Sequence, residues 1–346
     1  MKKVLALGLS LSLATVMFAG CGSNDESSSS KADAGAQTTT GSLKTGLAVI
    51  TTTGSSKDVS DNDGVGQIDS TIVAVTVDKD GKIVECIIDE AQAKVNFDAA
   101  GKIKTDLNTS IKTKNELGND YGMKKASSIG KEWYEQAEAL AKYVTGKTID
   151  EVKGIKLSAD GKPADADLKA SVTVSISGFI NAIEKAVKNA KELGAKAGDK
   201  LGLGVITSVK NSKDAGAEDG SAQADSYYSA VTVNKDGKIT SATIDGSVTN
   251  VNFSATGKIT SDLKAKNMTK NELGNSYGMK KASSIGKEWF EQAASFSKYV
   301  TGKTLDEVKG IKVSEGKAAD ADLKASVTVG IGDYIAVIEK AVKSVK

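Results

Sequence analysis

The sequence predicts an α+β protein made of two tandem copies of a mostly antiparallel sheet with helices packed on one side. Three observations carry this expectation. First, the chain repeats itself. Gly46-Leu47-Ala48-Val49-Ile50-Thr51 returns 156 residues later as Gly202-Leu203-Gly204-Val205-Ile206-Thr207, and Asn115–Met123 returns at the same offset as Asn271–Met279 with one change. After the loss of one residue near Gly161, Asp165–Val174 returns unchanged as Asp320–Val329. Each unit is about 150 residues, too long for a solenoid repeat and long enough for its own core. Second, the early part of each unit holds β-branched runs flanking turn residues. Third, the later part carries apolar residues at helical spacing.

Taken in order, Thr71–Val77 is a β-branched run. Asp78-Lys79-Asp80-Gly81 supplies turn chemistry, and Lys82–Ile88 continues as a second strand, so the segment reads as a hairpin. The second unit turns at Asn234-Lys235-Asp236-Gly237. A polar stretch follows, then a helix striped by Ile129, Trp133, Ala137, Leu140, Ala141 and Val144. Ser127 or Ser128 is placed to cap its start, and Gly146 lies just past its end. Thr148-Ile149-Asp150-Glu151 has capping-box spacing and opens a short turn that Gly154 closes. Leu168–Ile176 alternates and reads as a strand, and Ile176, Phe179, Ile180, Ile183 and Val187 stripe a last helix. Lys191–Lys200, rich in Lys, Gly and Ala, reads as the linker between units expected to fold independently over 44–192 and 200–346.

Composition excludes more than it identifies. The chain of 346 residues has no His and a formal net charge of +2; every basic residue is Lys, and there are two Cys and one Pro. Without His there is no Ser-His-Asp triad, no Cys-His dyad and no His-ligated zinc or haem. Without Arg there is no bidentate guanidinium clamp on phosphate or carboxylate. The balanced charge argues against a nucleic-acid partner. Binding therefore stands ahead of catalysis, and no catalytic or metal-ligating residue is assigned.

The N-terminus reads as an address. Lys2 and Lys3 precede an apolar run from Val4 to Phe18, and Ala19-Gly20-Cys21 follows. A basic start, a run of this length and small residues before a cleavage point make a secretory signal over 1–20, too short for a lasting membrane span. Small residues directly before Cys21 resemble the bacterial lipoprotein signal, which implies that Cys21 is lipidated and becomes the mature N-terminus. An ordinary signal peptide with an incidental Cys is the alternative. Residues 21–43, with Ser27–Ser30 and Thr38–Thr40, hold almost no large apolar side chain and are expected to form a disordered tether.

Four constellations inside the repeats invite a chemical reading. Cys86, whose repeat partner is Ala242, reads as a buried small hydrophobe on a strand. Asp78 and Asp80 read as a solvated turn, because the other ligands of a calcium loop are missing. Glu132 and Glu135 read as an exposed helix face. Asn115–Met123 and Asn271–Met279 are the better candidates. Gly118 and Gly122, with Tyr121, and Gly274 and Gly278, with Tyr277, either let backbone approach a ligand or satisfy a demanding turn. Asp167–Ser175 leads into a helix start near Ser177, where free amides and hydroxyls suit an anion, although ordinary capping explains them too.

Each unit resembles an FMN-binding domain of the type found in bacterial electron-transfer flavoproteins and tandem-domain lipoproteins. The resemblance runs through the V-x-V-D-K-D-G-K-I hairpin, the Gly-containing loop and the segment entering the last helix. That family carries an Asp followed by Ser-Gly-Ala-Thr-x-Thr, whose last Thr is esterified to the FMN phosphate. Here Asp167 and Thr173 match, Ala170-Ser171-Val172 departs, and Ser175 stands at the acceptor position. In the second unit Asp322 and Thr328 match, Ala325-Ser326-Val327 departs, and Gly330 stands at the acceptor position without a hydroxyl. The resemblance implies a lipid-anchored ligand-binding protein on the outer side of the bacterial cytoplasmic membrane, without enzymatic activity. It further implies two FMN-binding-like domains, reversible non-covalent FMN as cofactor and a redox partner for electron transfer. A solute-binding or structural surface lipoprotein that has lost flavin binding is the alternative.

Overall fold

A computed structural model describes residues 41–346. The expected signal segment 1–20, Cys21 and the expected tether as far as residue 40 lie outside the described residues. The first repeat opens with three strands, β1 (Ser42–Thr52), β2 (Gly64–Val77) and β3 (Ile83–Phe97). Five helices follow, α1 (Lys114–Leu117), α2 (Trp133–Val144), α3 (Ile149–Lys153), α4 (Ala166–Lys169) and α5 (Ser177–Asn189). A fourth strand, β4 (Lys191–Lys196), closes this half. The second repeat runs through β5 (Lys200–Ser208), β6 (Gly220–Val233), β7 (Ile239–Phe253), α6 (Lys270–Leu273), α7 (Trp289–Val300) and α8 (Leu305–Lys309). It ends with a two-stranded ribbon, β8 (Val313–Ser314) and β9 (Lys317–Ala318), then α9 (Ala321–Lys324) and α10 (Gly332–Lys343). The fold is α+β with two similar sheet-plus-helix modules.

The hairpins form where turn chemistry places them. The Asp78 carboxylate accepts from the amides of Asp80 and Lys82 at 2.9 Å, which fixes the reversal between β2 and β3. Asn234 does the same for Asp236 and Lys238 at 3.0 Å. The helices close the other face. In α2 the buried residues are Trp133, Gln136, Ala137, Leu140, Ala141 and Val144. With Phe179, Ile180 and Ile183 of α5 they cover Val73, Val75 and Val77 of β2. A Cβ on Gly46 would overlap the Ala186 carbonyl oxygen, so glycine there lets α5 lie directly on β1. The Thr148 capping box forms as the sequence predicts, and Gly154 ends α3.

Several local expectations need correction. Strand β1 begins at Ser42 and buries Leu43, so the end of the presumed tether belongs to the sheet. Helix α2 starts at Trp133, after Ile129; its N-cap is Glu132, not Ser127 or Ser128. Residues 168–176 form no strand: Leu168 and Lys169 belong to the short α4, and Thr173 and Val174 donate their amides to the Gln136 side chain instead of a ladder. The Lys191–Lys200 stretch is no free linker. Residues 191–196 form β4, which pairs antiparallel with β1 and gives the sheet order β3-β2-β1-β4. The second sheet has the order β5-β6-β7.

The two sheets also pack on each other. Leu47, Val49, Ile72 and Ala74 of the first repeat share one buried cluster with Leu201, Leu203, Val205 and Tyr228 of the second. Ile68, Val95 and Phe97 share another with Ala222, Val251 and Phe253. The Phe97 and Phe253 rings stack with centroids 3.9 Å apart and planes within 2°. The layers are helix, sheet, sheet, helix, related by an approximate two-fold axis. Its contacts are reciprocal: Asp58 accepts from the Ile259 amide at 2.7 Å, and Asp214 from the Ile103 amide at 2.8 Å.

Candidate functional site

The two-fold arrangement leaves a pair of clefts where one repeat meets the other. In the first, β1 and α5 face β7 and α7 around a cavity of about 1050 Å³. In the second, β3 and α2 face β5 and α10 around about 1040 Å³. Each is in the range of pockets that hold a drug-sized or nucleotide-sized molecule. Lysines of the last helices reach across the seam. Lys185 donates to the Val49 carbonyl at 2.5 Å and pairs with Glu272 at 2.9 Å; Lys340 donates to the Val205 carbonyl at 3.0 Å and pairs with Glu116 at 2.6 Å.

A buried carboxyl lies in each cleft wall. Asp89 accepts from the amides of Glu90 and Asn115 at 2.8 and 3.0 Å, and Asp245 from those of Gly246 and Asn271 at 2.7 and 3.1 Å. Desolvation pushes both groups up to about 6, against hydrogen bonds that favour the anion. The two clefts are not identical. Ser297 lines the first, and its buried Oγ has no hydrogen-bond partner among the described residues; Ala141 stands at its place in the second. Cys86 lines the second cleft from β3, half-buried, and desolvation pushes its thiol up to about 12.

The residues singled out from sequence gather at the N-terminal end of α2, and at the equivalent end of α7. The buried Glu132 carboxylate accepts from the amides of Met123 and Lys124 at 2.8 and 3.0 Å, which ties the glycine loop to the helix. Glu132 is not on the exposed face that the sequence predicts: it is 2% exposed. One turn on, Gln136 Oε1 accepts from the Thr173 amide at 2.8 Å, its hydroxyl at 3.2 Å and the Val174 amide at 3.3 Å. Gln292 does the same for Thr328 and Val329. The donors expected to receive a phosphate therefore already have an acceptor. Asp167 and Asp322 are exposed on their short helices, and Ser171 and Ser326 hydrogen-bond back to Leu168 and Leu323. Ser175 is exposed beside Ser177, 3.3 Å between hydroxyls.

The glycine loop has its own conformational reason. Gly118 and Gly122 have φ of 52° and 76°, and Gly274 and Gly278 have 50° and 78°, a region that side-chain-bearing residues avoid. Tyr121 and Tyr277 are half-buried beside it. Of the two loops, Asn115 and Glu116 line the second cleft and Asn271, Glu272, Gly274 and Asn275 the first, while Gly118, Tyr121, Gly122, Tyr277 and Gly278 line neither. The clefts themselves were missed because they are made by contacts between repeats. Among the described residues no cluster of His, Cys, Asp or Glu is arranged to hold a metal ion, and no helix is long and apolar enough to cross a membrane. Comparison of the chain with known protein families, with characterised proteins and with solved structures finds no match.

Proposed function

We propose that this chain is a lipid-anchored, extracytoplasmic binding protein that holds small molecules, without converting them, in the two clefts between its repeats. The observation that carries this reading is the matched pair of clefts, each of roughly 1050 Å³ and each walled by both repeats. Such a cavity with a few placed polar groups fits ligand binding. The buried carboxyls of Asp89 and Asp245 and the unpartnered Ser297 hydroxyl supply those groups. The lack of His and Arg supports binding over catalysis. The Lys-rich start, the apolar run and Ala19-Gly20-Cys21 support a lipid anchor. FMN is the first ligand to test, on the strength of the family resemblance. Its binding would be reversible, because Ala170-Ser171-Val172 departs from the family motif ahead of Ser175 in repeat one and Gly330 offers no nucleophile in repeat two.

The test is thermal unfolding of the full chain against FMN and a panel of metabolites. A ligand at a hundredfold over its Kd adds about 2.7 kcal/mol of stability. The shift is expected to shrink in Ala294→Trp, which fills the first cleft from an exposed position on α7. A panel without any shift, or shifts indifferent to Ala294→Trp and to an equivalent block of the second cleft at Glu138, sinks the cleft reading. Release from membranes by Cys21→Ser tests the anchor separately.

A further inference from the structure

Repeat one contains a buried ion pair of which repeat two keeps only the lysine. In repeat one Lys114 is 8% exposed and is paired with the Glu90 carboxylate, which also accepts from the Thr71 hydroxyl at 3.1 Å. The Tyr121 and Trp133 rings lie 4.8 and 5.0 Å from its ammonium. In repeat two Lys270 is equally buried, among the rings of Tyr227, Tyr277 and Trp289 at 5.2, 5.4 and 5.0 Å. Gly246 stands where Glu90 stands, and Tyr227 where Thr71 stands. Among the described residues, Lys270 makes no ion pair and no side-chain hydrogen bond.

The charges around it do not replace Glu90. Asp245 is taken up by backbone amides, and Asp225 by the side-chain amides of Asn211 and Gln223. Asp333 is exposed at the start of α10, and none of the three is within ion-pair distance of Lys270. Desolvation holds Lys270 below the ordinary lysine value despite their pull. At Lys114 desolvation acts the same way, but the charge and hydrogen bond of Glu90 outweigh it and the group ends above that value. Aromatic faces offset part of the cost of a buried ammonium, but they do not neutralise it.

A second unpartnered group borders the same rings. Tyr334, which replaces Phe179 of repeat one, is fully buried, and its hydroxyl has no partner. Its ring lies 6.0 Å from that of Tyr227 and 5.8 Å from that of Trp289. Burial keeps the Tyr227 and Tyr334 phenols protonated, the former pushed up to about 12, so both remain donors. An ammonium without a counter-ion and a buried phenol without an acceptor call for an oxygen anion, and repeat one shows which kind satisfies this lysine.

We propose that Lys270 holds the carboxylate of a small exogenous acid in the place that Glu90 fills in repeat one, with a phenol as the neutral donor in place of Thr71. This site is separate from the clefts, whose linings include none of Lys270, Tyr227, Trp289 and Tyr334.

The test uses the full chain carrying Trp133→Phe, so that emission reports Trp289 alone. Formate, acetate and benzoate are titrated at constant ionic strength against chloride. The expected result is a saturable change in Trp289 emission and a rise in melting temperature with a carboxylate and not with chloride. Both effects are lost in Gly246→Glu, which supplies the carboxylate from within, and in Lys270→Met. A Cβ at Gly246 would lie 3.2 Å from the Ser226 carbonyl oxygen and 3.4 Å from Trp289, so Lys270→Met decides the matter if the glutamate variant does not fold. No saturable change with any of the three acids, or the same change in Lys270→Met, overturns the proposal.

Discussion

Asp89 and Asp245 are buried carboxyls whose cost to the fold depends on pH. Both titrate near 6 in the folded chain because desolvation disfavours the anion, against an ordinary value of 3.8. A raised carboxyl binds its proton more tightly in the folded state, so its stabilising share is complete below pH ~4 and is lost as pH rises through ~6. Each Asn substitution keeps an acceptor for the amides and removes the charge. Asp89→Asn and Asp245→Asn are therefore expected to raise stability at pH 7 by up to about 2–3 kcal/mol each. They should leave it nearly unchanged at pH 4. Urea unfolding of parent and variants at both pH values checks this; an equal effect at both would mean the two groups are not desolvated as described. None of this was legible in the sequence, since Asp89 and Asp245 sit in strands that place a carboxylate and an aliphatic side chain in similar patterns. The segments that cover them lie about 25 residues further along the same repeat, at Thr113 and Asn115 and at Thr269 and Asn271.

At the level of elements, Gln136 and Gln292 hold more together than their place in a helix suggests. Each accepts from two backbone amides and a hydroxyl of the segment before the last helix. Gln136→Ala leaves the Thr173 and Val174 amides without that acceptor. The expected loss is about 1–3 kcal/mol, read as a lower urea midpoint at unchanged slope. The alternation of Ser171, Val172, Thr173 and Val174 predicts a strand because periodicity reports which side chains are buried, not what the backbone bonds to. Val172 is buried as expected, but the backbone partner is a side chain on α2. The hairpins and the stripes of α2 and α5 were legible because their signals are local: an Asp or Asn in each turn, and apolar residues three and four apart. The buried Glu132 had a local signal too. Glu132 and Glu135 stand at capping-box spacing directly before the Trp133 stripe, and the box forms.

For the molecule as a whole, the decisive feature is the layer between the sheets. Its trace in the sequence is the unbroken run Thr71–Val77. A strand with one wet face alternates, whereas this run is buried on both faces, Ile72 and Ala74 toward the other repeat and Val73 and Val75 toward the helices. The repeat boundaries could be read without this layer; its presence alters the expectation that each unit folds alone. Residues 41–197 expressed by themselves would expose Leu47, Val49, Ile72, Ala74 and Phe97. The expected outcome is a self-associating half that becomes monodisperse when the other half is co-expressed, measured by light scattering. A soluble monomeric half would show the layer to be dispensable. Within the layer, Phe97→Ala and Phe253→Ala are each expected to cost about 3–5 kcal/mol. In a double-mutant cycle the pair should couple by about 0.5–1.5 kcal/mol, as stacked rings in contact do.

The reciprocity of that seam carries a consequence for descent. Lys185 with Glu272 and Lys340 with Glu116 are one contact made twice, as are Asp58 with Ile259 and Asp214 with Ile103. A patch that meets its own copy in this way is what a symmetric dimer of identical subunits presents. The duplicated chain presents that geometry within one polypeptide. In a true homodimer every substitution appears on both sides at once, so Glu90 could not be kept in one site while the other became Gly246. Within one chain the two halves can differ independently, as they do in Glu90 against Gly246, Thr71 against Tyr227 and Ala141 against Ser297.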